Sequence, residues 1–198
     1  MESQNQKKVV YGITGSFGTG KSTAAKIIAE KLNARIIDAD IVAKTLMNED
    51  PSIRHMVHEA FGDQVFDYQG NVDTRKLASI VFGNSVYLKR LEGIIHPAVI
   101  EYVRDNIRRY SQARHLIVEA PLLIESGLHK DMDILIVVLA DEEKIYERLK
   151  DRGFSAEEVN RRLSNQLPQS EKRIYADIVI ENNATVEELK NNINTVFK

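Results

Sequence analysis

The amino-acid sequence predicts an α/β fold built on a parallel sheet, with a phosphate-binding loop at the carboxyl end of its first strand. Three observations lead there. Gly15-Ser16-Phe17-Gly18-Thr19-Gly20-Lys21-Ser22 fits G-x-x-x-x-G-K-[ST], the P-loop, at every fixed position. The β-branched, apolar stretch Lys8 to Thr14 precedes it, and Ala24, Ala25, Ile28, Ala29 and Leu32 follow it at helical spacing. Further on, Asp133 to Leu139 is continuously apolar, as a parallel strand buried on both faces must be.

The loop's chemistry follows from its residue types. Without Cβ atoms at its glycines the chain can curl until successive amides point at phosphate oxygens. The helix expected from Lys21 adds its free N-terminal amides and the positive end of its dipole. Lys21 would reach the β- and γ-phosphates, and the Ser22 hydroxyl would hold Mg²⁺. The stretch is a nucleotide triphosphate site.

Composition narrows the rest. The 198 residues suit one domain with a mobile subdomain, and 43% hydrophobic with 28% charged residues is ordinary for a globular protein. A net charge of −2 gives no general footprint for nucleic acid or an anionic membrane, so no such partner is expected. There is no cysteine, which excludes disulfides and thiolate metal sites. Met1 to Lys8 is polar and lacks the apolar core of a signal peptide, and no apolar run approaches the ~18 residues that span a bilayer. A cytoplasmic enzyme is expected.

After the first helix, Ala34 to Ile37 reads as a strand running into Asp38-Ala39-Asp40. In an extended segment Asp38 and Asp40 share a face, at the strand end where ligands of α/β sheets gather. Either could instead cap the helix expected over Ile41 to Met47. From Pro51 to Tyr110 the pattern is helical: Ile53, Met56, Val57, Ala60 and Phe61 form one stripe, Arg75 to Phe82 a short helix, and Val86 to Arg109 a long one. Pro97 should kink or divide the long helix after His96, and His96 alone could equally be a packed core residue. Some sixty helical residues exceed a simple crossover and predict a second lobe. Asp67-Tyr68-Gln69-Gly70 matches a GTPase switch motif, but no strand precedes it and the chain has no N-K-x-D, so a turn is expected.

His115 to Glu119 reads as the third strand, ending in an acid where a Walker B carboxylate would stand. Asp141 to Lys172 is densely charged, carrying Arg148, Arg152, Arg161 and Arg162 and followed by Arg173. Such charge is either a solvated helical face or a mobile arginine-bearing lid that closes over phosphates. Tyr175 to Ile180 reads as the fifth strand and Thr185 to Phe197 as a final helix, with Val186, Leu189, Ile193 and Val196 inward.

Taken together, the chain closely resembles the dephospho-CoA kinase family over nearly its whole length. Beyond the P-loop, the resemblance rests on Ile37-Asp38-Ala39-Asp40, Gly70 with Arg75 and Leu77, and Phe82 ahead of Leu91-Glu92. It continues in His96-Pro97, Pro121 to Glu125, Arg148 with Arg152, Gln166 with Lys172, and Ala176 to Ile180 before Asn182-Asn183. The loop reads Gly15-Ser16-Phe17 where Gly-Gly-Ile is typical, Glu119 stands where Asp is common, and Ala184 replaces a usual glycine.

The resemblance implies a P-loop kinase core: a five-stranded parallel sheet with helices on both faces, a helical substrate-side domain and an Arg-rich lid. The expected bounds are a core at 8–50, 114–152 and 176–198, a helical subdomain at 51–113 and a lid at 153–175. It implies ATP-dependent phosphorylation of the ribose 3′-hydroxyl of dephospho-CoA, with Mg²⁺ held at Ser22 and Glu119. Another small P-loop kinase with a nucleoside or nucleotide acceptor is the alternative, and a nucleotide-dependent switch protein a third reading. Asp40, Lys21 and Arg148 resemble the catalytic residues. Gly15, Ser16, Phe17, Gly18, Thr19, Gly20, Lys21, Ser22, Thr23 and Asn183 would hold the nucleotide, and Asp38, Arg75, His96 and Leu122 the acceptor.

Overall fold

The protein is described here by a computed structural model, covering residues 8–81, 84–110 and 115–197. The expectations for Met1 to Lys7 and for Phe82 lie outside the described residues. The chain forms two compact units, one of residues up to Asp38 and from Ile107 onward, the other Ala39–Asn106.

The first unit is a five-stranded sheet in the order β2-β3-β1-β4-β5. Its strands are β1 (Val10–Thr14), β2 (Arg35–Asp38), β3 (Leu116–Glu119), β4 (Ile134–Leu139) and β5 (Ile178–Glu181). Every pairing is parallel, as crossover helices require. β5 starts later than the sequence suggests, and the Asp177 carboxylate ahead of it accepts a 2.7 Å bond from the Leu135 amide. Asp133, ahead of β4, does the same for the Val10 amide at 2.7 Å. Each aspartate thus satisfies an amide at the start of a neighbouring strand.

α1 (Lys21–Leu32) buries Ala24, Ala25, Ile28 and Ala29, the predicted face, and ends on Asn33 in the left-handed region at φ 50°. α9 (Val186–Val196) begins on Thr185, whose hydroxyl accepts from the Glu188 amide. The two helices cover one face of the sheet, where Ala24, Ile28, Leu189 and Ile193 meet Tyr11, Ile13, Ile136 and Val138. Of the four α9 positions expected inward, only Leu189 and Ile193 are buried; Val186 and Val196 are 65% and 45% exposed. Phe197 supplies the missing contact, meeting Tyr11 edge to face. On the opposite face Gly12 leaves room for Leu123 and Met132, which a Cβ there would meet at 2.7 Å.

α6 (Glu142–Asp151), α7 (Ala156–Leu163) and α8 (Gln169–Ile174) occupy the charged stretch. Ile145, Leu149 and Val159 form a small core joining α6 to α7, with Phe17, Tyr146, Phe154 and Leu163 against it.

The second unit opens with α2 (Ala39–Glu49), which packs on α3 (Pro51–Phe61). Asp50 caps α3 through the amides of Ser52 and Ile53, with Pro51 in the first turn. Ile53, Val57 and Phe61 are buried as predicted, but Met56 of the same stripe is exposed. Asp67-Tyr68-Gln69-Gly70 is the turn of a short hairpin: Asp67 accepts from the amides of Gln69 and Asn71, and Phe66 bridges Val72. α4 (Thr74–Val81) and α5 (Ser85–Arg109) complete the unit. α5 runs undivided through Pro97, against expectation. The carbonyl left without a partner belongs to Gly93; both residues face solvent, where water replaces the lost bond.

Ile136 sits at the centre of the sheet core and is fully buried. Ile136→Ala should therefore lower stability by about 2–5 kcal/mol, read as a shift of the urea midpoint with unchanged slope.

Candidate active site

The glycine loop leaves β1 at Thr14 and enters α1 at Lys21, between the carboxyl ends of β3 and β4. Its shape is held from inside and outside. Within the loop, the buried Thr19 hydroxyl donates to the Ser16 carbonyl at 2.9 Å. At its start, a side chain on Gly15 would lie 2.4 Å from the Val138 carbonyl of β4. At its end, Gly20 takes φ 89°, and a Cβ there would stand 2.2 Å from Nδ2 of Asn182. That same nitrogen donates to the Thr19 carbonyl at 2.8 Å. The Phe17 amide donates to Oε1 of Gln166 at 3.0 Å.

In the first turn of the helix, the Ser22 hydroxyl donates to the Glu119 carboxylate, at the end of β3. Glu119 is buried, and the sheet register sets it beside Ile13 on one side and Asp38 on the other. A hydroxyl and a carboxylate together are hard oxygen donors, the type Mg²⁺ takes. Among the described residues no group of three or more acidic or histidine ligands forms a closed metal cage.

Arg148 stands on α6, ahead of the 153–175 stretch. Its Nη2 donates to Oδ1 of Asn182 at 3.4 Å and to the Ala184 carbonyl at 3.3 Å. Its Nη1 is buried without a hydrogen-bond partner among the described residues. Asn183 accepts from the Asp141 amide at 2.7 Å. The turn after β5 therefore ties together the loop, Arg148 and the start of α6. On α7, Arg162 lies 4.7 Å from the Phe17 ring centre and 5.0 Å from that of Phe154. The two rings meet edge to face at 5.1 Å.

Asp38 ends β2, but Asp40 falls in the first turn of α2. The shared face expected of an extended segment is therefore absent at Asp40, because the helix starts two residues earlier than the apolar pattern indicates. Asp40 is exposed, Arg75 is exposed in the first turn of α4, and His96 is half-buried on α5; all three belong to the second unit. Leu122, half-buried, lies in the turn after β3, while Lys21 and Thr23 are half-buried at the start of α1.

Sequence reasoning missed the buried lysine. Lys172 entered only as a matching position of the resemblance, paired with Gln166 and given no site role, yet its side chain is fully buried and donates to Oε1 of Glu125 and to the Pro121 carbonyl, each at 2.7 Å. Burial, helped by the charge of Lys21, pushes Lys172 below the ordinary lysine range, against the opposing pull of Glu125. Gln169 also anchors α8, bonding the amide and carbonyl of Ala140 at 2.9 Å each. Glutamine and lysine three apart, just after Pro168, were the one sequence signal for an anchored helix.

A phosphate loop on this strand order, with a hydroxyl and a carboxylate paired beside it, defines a P-loop phosphotransferase. Residues 9–188 match the family model described as dephospho-CoA kinase. A dephospho-CoA kinase of Aquifex aeolicus is 38% identical over 187 residues, covering 94% of this chain and 95% of that protein. A crystal structure of a Thermus thermophilus protein superposes with a TM-score of 0.77 at 31% identity, covering 96% of each chain. A dephospho-CoA kinase structure from Campylobacter jejuni gives 0.67 at 25%, covering 94% of each. The chain belongs to the dephospho-CoA kinase family.

Gly20 is the sharpest local constraint. Gly20→Ala must hold a left-handed conformation, costing roughly 1–2 kcal/mol, and must displace Asn182. Nucleotide affinity should fall at least ~10-fold, the equivalent of about 1.4 kcal/mol, while the helices persist. Titration with a fluorescent nucleotide, beside far-ultraviolet circular dichroism, checks both.

Proposed function

We propose that the protein transfers the γ-phosphoryl group of ATP to the ribose 3′-hydroxyl of dephospho-CoA, giving coenzyme A and ADP, in the cytoplasm. The observation that carries this reading is the family's phosphate loop, held in shape with Ser22 and Glu119 paired at its helix. The partnerless, buried Nη1 of Arg148 beside the Asn182 turn adds a positive group suited to a nucleotide.

Phosphoryl transfer has a loose transition state, so the protein's work is positioning and charge neutralisation. Residues Gly15 to Ser22, with Thr23, form the phosphate cradle, through loop amides other than that of Phe17, which Gln166 holds, and Asn183 belongs to the turn at the adenine end. Lys21 draws the charge that builds toward the β–γ bridge. Ser22 and Glu119 would hold Mg²⁺, Glu119 through water; the ion supplies charge neutralisation on the phosphates. Arg148 adds positive charge on the transferring group.

On the acceptor side, Asp40 orients the 3′-hydroxyl and accepts its proton late, since an alcohol is far weaker as an acid than a carboxyl group. Asp38, Arg75, His96 and Leu122 bind the rest of the acceptor.

The deciding assay follows ADP release with and without dephospho-CoA. Release that depends on dephospho-CoA is expected; equal turnover with other nucleosides or nucleotides would redirect the acceptor, and acceptor-independent hydrolysis would indicate a switch protein. Lys21→Ala should lower turnover at least ~10²-fold, the scale of a lost electrostatic stabiliser, with the fold retained. Near wild-type turnover in that variant would refute the phosphate-site reading.

Asp40→Asn keeps the shape of the side chain but cannot take a proton. It should lower kcat by roughly 10²–10⁴-fold at unchanged melting temperature and ATP affinity, with Asp38→Asn the milder of the two. The reverse order of effects would exchange their roles.

A further inference from the structure

A closed run of hydrogen bonds starts and finishes on the first limb of the phosphate loop. Thr14, the last residue of β1, donates through its hydroxyl to the Pro121 carbonyl at 3.2 Å. Lys172 donates to that same carbonyl and to Glu125. Oε1 of Glu125 also accepts the Leu167 amide at 2.8 Å. The neighbouring residue, Gln166, accepts the Phe17 amide, three residues on from Thr14. Lys172 is the only side chain of the run that is charged and fully buried.

We propose that Lys172 is a positioning residue for phosphoryl transfer. It holds the turn after β3 and the α7–α8 link in one arrangement, and through Gln166 that arrangement sets the first limb of the phosphate loop. Three features support the assignment. An ammonium group taken wholly out of water is costly, and an apolar side chain of similar length generally serves packing as well or better. A purely structural role therefore does not call for a lysine here. The two acceptors come from different ends of one turn, so a single group fixes both its carbonyl start and its carboxylate end. The run reaches the loop on a backbone amide, where a small displacement changes the cradle directly. The inference rests on the kinase reading above, but part of its test does not.

Lys172→Met alone would leave the partly exposed Glu125 carboxylate without its cation, so the informative variant is Lys172→Met with Glu125→Gln. This pair restores a neutral, packed site while leaving the Pro121 carbonyl unbonded by residue 172. Its melting temperature should return to within a few degrees of wild type. Its kcat with dephospho-CoA should stay at least ~10-fold low, since misplacement of about 1 Å can cost 10²-fold, while ATP affinity changes less than ~3-fold. Hydrogen exchange at the Phe17 and Leu167 amides should quicken ~10-fold or more, whichever acceptor the enzyme uses. Gln166→Leu, which cuts only the final link, should reproduce the loss of kcat without a loss of stability. Wild-type kcat in either variant, a fall in kcat matched by an equal fall in ATP affinity, or unchanged exchange at both amides would overturn the proposal. A wild-type protein inactive on dephospho-CoA would instead refute the acceptor reading and leave the exchange result to decide on Lys172.

Discussion

A phosphate cradle must keep its inward amides unbonded to protein, because they are reserved for the ligand. It cannot stabilise itself as fully as a helix or strand does, so beyond the Thr19–Ser16 bonds within the loop its curvature is held by what surrounds it. In this protein the surroundings are specific. The Val138 carbonyl of β4 presses on Gly15, Asn182 holds the Thr19 carbonyl and crowds Gly20, and Gln166 takes the outward amide of Phe17. These contacts come from three separate places; the first two arrive because the parallel strand order puts the ends of β4 and β5 on the same side as the loop, and the third comes from the link between α7 and α8. The sheet is the frame, and its central position for β1 is the condition for everything at the site.

The same logic explains the arm formed by α6 and α7. Its small core of Ile145, Leu149 and Val159 accepts the Phe17 ring from the loop, and Arg162 stacks on that ring. A branched aliphatic residue at position 17 would fill similar space but offer no π face to the guanidinium. Phenylalanine here gives this chain a direct contact between its phosphate loop and its arginine-bearing helix.

The loop and the sheet were legible in the sequence because both are dictated locally. Glycines at fixed offsets report backbone conformations that other residues resist, and an unbroken apolar run reports a strand covered on both sides. Asp40 was placed on an extended face because the apolar pattern of α2 does not announce its first two residues. Pro97 was expected to kink or divide α5, but the helix continues through it at a solvent-facing position, where water can take the carbonyl left unpaired. Lys172 was hidden for a deeper reason. Burial is a tertiary property, and a lysine in a charged run looks the same whether it meets solvent or Glu125. Val186 and Val196 failed in the opposite direction: helical spacing marked them inward, but only Leu189 and Ile193 join the core against the sheet.

The strand order also sets a sequence of events during synthesis. β1 pairs only with β3 and β4, and β2 only with β3, so no strand has a partner until Leu116 has been made. The whole of Ala39–Asn106 lies before that point. As the chain emerges from the ribosome, the helical unit is complete while the first apolar strand and its glycine loop still wait, unpaired, for residues about a hundred positions downstream. The phosphate loop is thus translated well before the strands and the turn that hold it in shape.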